Sequence, residues 1–146
     1  MTPFVLKYVT KREQRLLQRA QALVERVPAD YLWNEKYGYS ELRCHELARA
    51  VNIALEDQRT VVQDGWFQIV EHSWIWTHPV PNPPRISKFP KVLDVYQPGS
   101  LPQVTLLDFG GGYGLPWHRI YVWDATSTRD DIRVDVVKEL LGFMRS

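Results

Sequence analysis

One thiol, one imidazole and one carboxylate set the chemistry open to this chain. Cys44 is its only cysteine, and it falls in the first turn of a predicted helix, where the N-terminal dipole favours thiolate. His72, on a predicted strand, can take the thiol proton. Asp94, on another, can orient that imidazole and fix which of its nitrogens is free. In the order Cys, His, Asp these residue types suit acyl transfer: a thiolate attacks an amide carbonyl, the imidazole protonates the leaving amine, and water or a second amine resolves the thioester. A plainer reading stands beside this one. A cysteine on an apolar helical stripe can be a small core residue, and a His–Asp pair can simply hold two strands together.

Elements legible in the apolar spacing must position these groups. Leu16, Leu17, Ala20, Val24 and Val27 recur at helical spacing between Thr10 and Pro28, and Pro28 supplies a stop. Residues 28 to 39 mix Pro, Gly, Asn and aromatics, which suits an ordered surface loop or a cleft wall. Ser40 is the expected cap and Glu41 the dipole complement of a helix over 41 to 57. Its stripe is Leu47, Ala48, Val51, Ala54 and Leu55, with Cys44 at the N-terminal end. After Asp57 the pattern turns β-branched and aromatic. Thr60 to Val62, Trp66 to Thr77, Lys91 to Tyr96, Val104 to Phe109 and Arg119 to Trp123 are predicted strands. Asp130 or Asp131 is the expected cap of a last helix carrying Val134, Val137, Leu140, Leu141 and Met144. The expected fold class is α+β, with N-terminal helices packed on an antiparallel sheet and a C-terminal helix. One domain over 1–146 is expected: helix and aromatic loop in 1–39, helix and sheet core in 40–123, and the last helix in 124–146.

Five of the ten prolines lie between His78 and Pro90, which forces a loop there. If the flanking strands pair as a hairpin centred near Pro83, His72 and Asp94 become direct cross-strand neighbours, with Cβ atoms ~4.5–5.5 Å apart. A slip of one residue would send the two side chains to opposite faces. His72 alternates with Val70, Trp74 and Trp76, and Asp94 with Val92 and Tyr96, so each polar residue shares its face with apolar ones. An unpaired carboxylate would be costly there, and the imidazole compensates it.

A cysteine opening a helix, followed by the strand Glu71-His72-Ser73-Trp74-Ile75 and the strand Leu93-Asp94-Val95-Tyr96, resembles the core of the papain-like superfamily, especially its transglutaminase-like and related bacterial cysteine peptidase domains. The resemblance covers residues 40 to 100. It implies Cys44 as nucleophile, His72 as base and Asp94 as the group that orients the base. Leu42-Arg43 stands where that superfamily commonly has Trp or Gly before its cysteine, and the usual glutamine or aromatic oxyanion donor has no unambiguous counterpart. The Cys44 amide is the expected half of an oxyanion hole, with Tyr39, Asn34 or Gln63 as candidates for the other half. Tyr39, Trp74 and His118 are the candidates for contact with substrate, although the six tryptophans suit a core at least as well as a cleft.

Other constellations carry less. "CHELAR" at 44–49 lacks the second histidine that a helix-borne zinc pair needs, so no metal and no cofactor is expected. Asp108 to Gly114 follows a strand but lacks Gly-Lys-Ser/Thr and runs into Leu115-Pro116, which suits a turn or flap rather than a phosphate loop. His118 is the rival base, with Asp108 or Asp124 as its orienting group. His45 points about 100° away from Cys44 around a helix, which makes it a poor base. Lys and Arg number 18 against 17 Asp and Glu, a net charge of +1, so nucleic acid is not an expected partner. The apolar runs are too short for a membrane span, one cysteine forms no internal disulfide, and residues 1 to 10 lack the marks of a secretory signal, leaving a cytoplasmic location as the default. The expected partner is a peptide or other amide-containing substrate. The competing class is a non-enzymatic interaction or immunity-type module whose sheet or proline-rich loop binds a partner, with Cys44 merely packed; an exposed Trp76, His78 and Pro79 to Pro84 edge would favour it.

Overall fold

Thr10 starts the first helix because it and Glu13 satisfy each other's backbone. The Thr10 hydroxyl accepts from the Glu13 N–H at 3.1 Å, and Glu13 Oε1 accepts from the Thr10 N–H at 2.9 Å. Helix α1 then runs Lys11–Glu25 and buries Leu16, Ala20 and Val24. A computed structural model describes residues 9–80, 90–95, 102–107, 121–124 and 126–146 of the chain. Glu13 is itself buried, because Lys91 reaches its carboxylate at 2.8 Å from the start of a distant strand. Arg12 pairs with Asp57 at 2.8 Å and donates to the Thr77 carbonyl at 2.6 Å. Two long-range ties thus fix α1 to the sheet.

The aromatic stretch expected as a loop holds a small hairpin, β1 (Trp33–Asn34) and β2 (Tyr39–Ser40), pairing Trp33 with Ser40 and turning through Gly38 at φ 65°. Helix α2 follows as Cys44–Leu55. It begins three residues later than the spacing predicts, because the Ser40 hydroxyl accepts from the Leu42 N–H at 3.1 Å and closes a turn instead of capping a helix. Arg43 takes the N-cap position without a side-chain cap bond, and Glu46, not Glu41, is the acidic group of the first turn. Leu47, Ala48, Ala50, Val51 and Leu55 are fully buried. The helix packs against α1, against the sheet and against the last helix.

The predicted strand from Trp66 to Thr77 is two strands. β3 (Val61–Phe67) and β4 (Val70–Trp76) meet in a tight hairpin whose turn places Gln68 at φ 56°. No glycine or asparagine marks that turn in the sequence. β5 (Val92–Asp94), β6 (Thr105–Leu107) and β7 (Tyr121–Val122) complete an antiparallel sheet of order β6-β5-β4-β3-β7. The chain closes with α3 (Val134–Arg145), whose N-cap is Arg133 rather than Asp130 or Asp131; Asp131 instead pairs with Arg129 at 2.7 Å and Arg43 at 3.1 Å. The fold is α+β.

Strand alternation divides the buried residues into two clusters. Ile75, Leu93 and Leu106 join the helices in one core, while Trp74, Trp76, Val92 and Tyr121 form a second. No helix among the described residues is long and apolar enough to cross a membrane.

Candidate active site

β4 is buried on both faces from His72 to Trp76. Consecutive residues there look in opposite directions, so His72 shares a face with Trp74 and Trp76 while Ser73 shares one with Ile75. The β4–β5 hairpin pairs Ile75 with Leu93 and Trp76 with Val92, a register centred one residue beyond Pro83. Asp94 therefore stands diagonal to His72 instead of directly opposite it. This two-residue offset from the expected pairing keeps both side chains on one face. His72 Nε2 lies 2.9 Å from Asp94 Oδ2 and 3.0 Å from Oδ1. Tyr121 donates its hydroxyl to Asp94 Oδ2 at 2.8 Å. Burial and the Asp94 charge push the phenol well above its ordinary range, so it remains a neutral donor.

With Nε2 held by Asp94, Nδ1 is the ring nitrogen that remains, and the His72 imidazole and the Cys44 thiol shift one another's titration. Burial by itself would raise the thiol. The hydrogen bonds from His45 and His72, with the His72 charge, outweigh that and bring Cys44 down to about 6. Burial likewise disfavours the imidazolium, but hydrogen bonds to Asp94 and Cys44 and their negative charges raise His72 to about 10. Between these values the pair rests as thiolate and imidazolium.

Cys44 is the first residue of α2, so its N–H lies outside the helix's own ladder. The sulfur-bearing residue is 5% exposed and borders a cleft of about 480 Å³ lined also by Tyr39, Arg43, His45, Val70 and Glu71. Arg43 does not aim its charge at the sulfur: its guanidinium binds Glu46 and Asp131.

The other sequence candidates are placed as follows. Tyr39 borders the cleft, half exposed and stacked on Tyr37. Trp74 is fully buried and lies nearly parallel to the His72 ring at 6.1 Å, so it supports the imidazole from behind and presents no surface to substrate. Asn34 is engaged with Glu41 and the Tyr37 N–H, and Gln63 with Trp76 and the Asp64 carbonyl. Neither residue lines the cleft that Cys44 borders. His118 and Asp108 lie outside the described residues. Asp124 instead closes a local turn through Thr126 and Ser127.

Sequence reasoning missed Tyr121, whose only signal was an aromatic with a polar tip on a buried strand, and it misplaced His45. That ring is buried, and its Nδ1 lies 3.7 Å from Cys44 Sγ and 2.7 Å from Ser73 Oγ. Among the described residues no three His, Cys, Asp or Glu groups cluster as metal ligands. No family model, no curated protein and no solved structure matches the chain.

Proposed function

We propose that this protein is a cysteine-dependent acyl-transfer enzyme acting on an amide, with Cys44 as nucleophile, His72 as acid and base, and Asp94 as the group that orients His72. The observation that carries the reading is the buried pair of His72 Nε2 and Asp94 at 2.9 Å, with His72 lowering the thiol of Cys44 at a helix start that lines a cleft. The thiolate attacks the carbonyl carbon, and the carbonyl electron pair moves to oxygen, toward the Cys44 N–H. His72 gives its proton to the departing amine. The neutral imidazole then removes a proton from water or from a second amine as it attacks the thioester, which returns thiolate and imidazolium.

An electrophilic probe for active-site cysteines, applied to the folded protein, tests this reading. Labelling is expected on Cys44, absent from Cys44→Ala, and reduced by on the order of a hundredfold in His72→Ala at pH 7. Labelling of His72→Ala at the unaltered rate would reject the base, and a thiol that reacts only after unfolding would assign Cys44 to packing.

A further inference from the structure

A second imidazole lies beside the same sulfur. His45, the residue after the nucleophile, places Nδ1 3.7 Å from Cys44 Sγ and 2.7 Å from Ser73 Oγ. The Ser73 hydroxyl donates to Asp64 Oδ1 at 2.6 Å, and Asp64 Oδ2 accepts from Arg49 Nη2 at 2.6 Å. Arg49 also donates to the His45 carbonyl at 3.0 Å, one turn back along α2. Ser73 and Asp64 face each other across the β3–β4 ladder, and all four side chains are buried or partly so.

The proton positions follow from this chain. A carboxylate paired with a guanidinium has no proton to give, so the hydroxyl proton of Ser73 points at Asp64. Ser73 Oγ is then left as an acceptor toward His45, and His45 Nδ1 must carry hydrogen. Nδ1 is 2.7 Å from the Ser73 oxygen and 3.7 Å from the Cys44 sulfur, so its one hydrogen is shared between them. Ser73, the neighbour of His72 on β4, thereby fixes His45 beside the sulfur.

We infer that His45 is a second N–H donor to the Cys44 thiolate, and that Ser73, Asp64 and Arg49 are positioning residues which hold it in its Nδ1–H form. The inference rests on the acyl-transfer reading and deepens it: His72 moves protons, while His45 has no free lone pair on the sulfur side and stabilises charge alone. The other charged groups near Cys44 are Asp94 beside His72, Arg43 at the helix start, Glu46 in the same first turn, and Glu41, Glu71 and Arg133 on the cleft wall. Arg43 and Arg133 share Glu46, and Asp131 joins Arg43 to Arg129, which also holds Glu71, so three arginines are balanced by three carboxylates.

The test is the pH dependence of Cys44 alkylation in the folded protein, followed for wild type, His45→Phe, His45→Gln and Ser73→Ala, with the ¹⁵N resonances of the His45 ring in wild type. The expected result is a low midpoint in wild type, raised by about one pH unit in His45→Phe. His45→Gln, which keeps an N–H, should restore most of it, and Ser73→Ala should raise it by a smaller amount. The ring spectrum should show hydrogen on Nδ1. A low wild-type midpoint that neither His45→Phe nor Ser73→Ala moves would overturn the role of His45 and leave the triad intact. A proton found only on Nε2 would do the same without any variant needing to fold. A wild-type midpoint near that of a free thiol would instead remove the acyl-transfer reading, and this inference with it.

Discussion

Asp94 receives an imidazole on one side and a phenol on the other, and its use depends on carrying charge. The Tyr121 hydroxyl fixes the carboxylate, and the carboxylate holds His72 by its Nε2 toward β5. Replacing Asp94 by Asn keeps shape and removes the charge that raises His72. Asp94→Asn is therefore expected to lower acyl transfer by on the order of a hundredfold or more while leaving the fold intact, as steady-state rates beside a denaturation curve would show. Wild-type activity should be bell-shaped in pH. The rising limb belongs to the thiol at about 6 and the falling limb to His72 at about 10. In Asp94→Asn the falling limb should move to lower pH, because the negative charge that holds the imidazolium is gone.

At the scale of elements, the junction of α2 and α3 rests on one buried carboxylate. Glu46 has no exposed surface and accepts from Arg43 at 2.8 Å, from Arg133 Nη2 at 2.8 Å and from the Arg133 backbone N–H at 3.3 Å. It thereby ties the start of α3 to the first turn that carries Cys44. Both arginines are about a third exposed, so water screens part of the loss when the charge is removed. Glu46→Gln is expected to lower stability by about 2 kcal/mol in urea denaturation. A sharper effect belongs to Gly65, which pairs with His72 across the β3–β4 ladder. A Cβ there would lie 2.3 Å from the Val122 carbonyl oxygen and 2.9 Å from the Trp74 ring. Gly65→Ala must push β7 away, with an expected cost of at least about 2 kcal/mol and a weakened Tyr121 contact, readable by denaturation and by labelling rate. These ties also mark what the sequence could convey. Apolar periodicity made α1, α2, the sheet residues and α3 legible, and alternation put His72 and Asp94 on one face. The start of α2 was misread because Ser40 can cap a helix or close a turn with equal ease. The β3–β4 turn was missed because Gln68 adopts a left-handed conformation without the usual glycine or asparagine. Glu46 and the Ser73–Asp64 chain were invisible because their meaning lies in arginines and a histidine brought near only by folding.

For the whole molecule, pH should act on activity and on stability through different groups. The lowered thiol of Cys44, taken alone, contributes stability above its unfolded value of 9.0 and loses it as pH falls through about 6. The raised His72, taken alone, contributes fully below its unfolded 6.5 and loses it as pH rises through about 10. Their slopes with pH nearly cancel at neutral pH. The folded pair holds one proton between about 6 and about 10, and in the unfolded chain a neutral thiol beside a neutral imidazole also holds one between 6.5 and 9.0. Equal proton counts give no slope, so the pair affects stability chiefly above pH 9, where the unfolded thiol ionises first and stability falls. On the acid side the controlling groups are Glu13, held down by Lys91 and the Thr10 cap, and Glu46, held down by Arg43 and Arg133. Each is lowered from an unfolded 4.5, so its contribution is present above that value and is lost as pH falls through its folded one. Activity should therefore vanish on acidification before the fold does. At pH 5, with the thiol protonated, the proposed acyl transfer should be suppressed, while urea midpoints should remain near their neutral values and decline only below pH 4.5. Return to pH 7 should restore full activity at once. Loss of activity and of native structure at the same pH would mean that the sulfur–imidazole pair is not what titrates near 6.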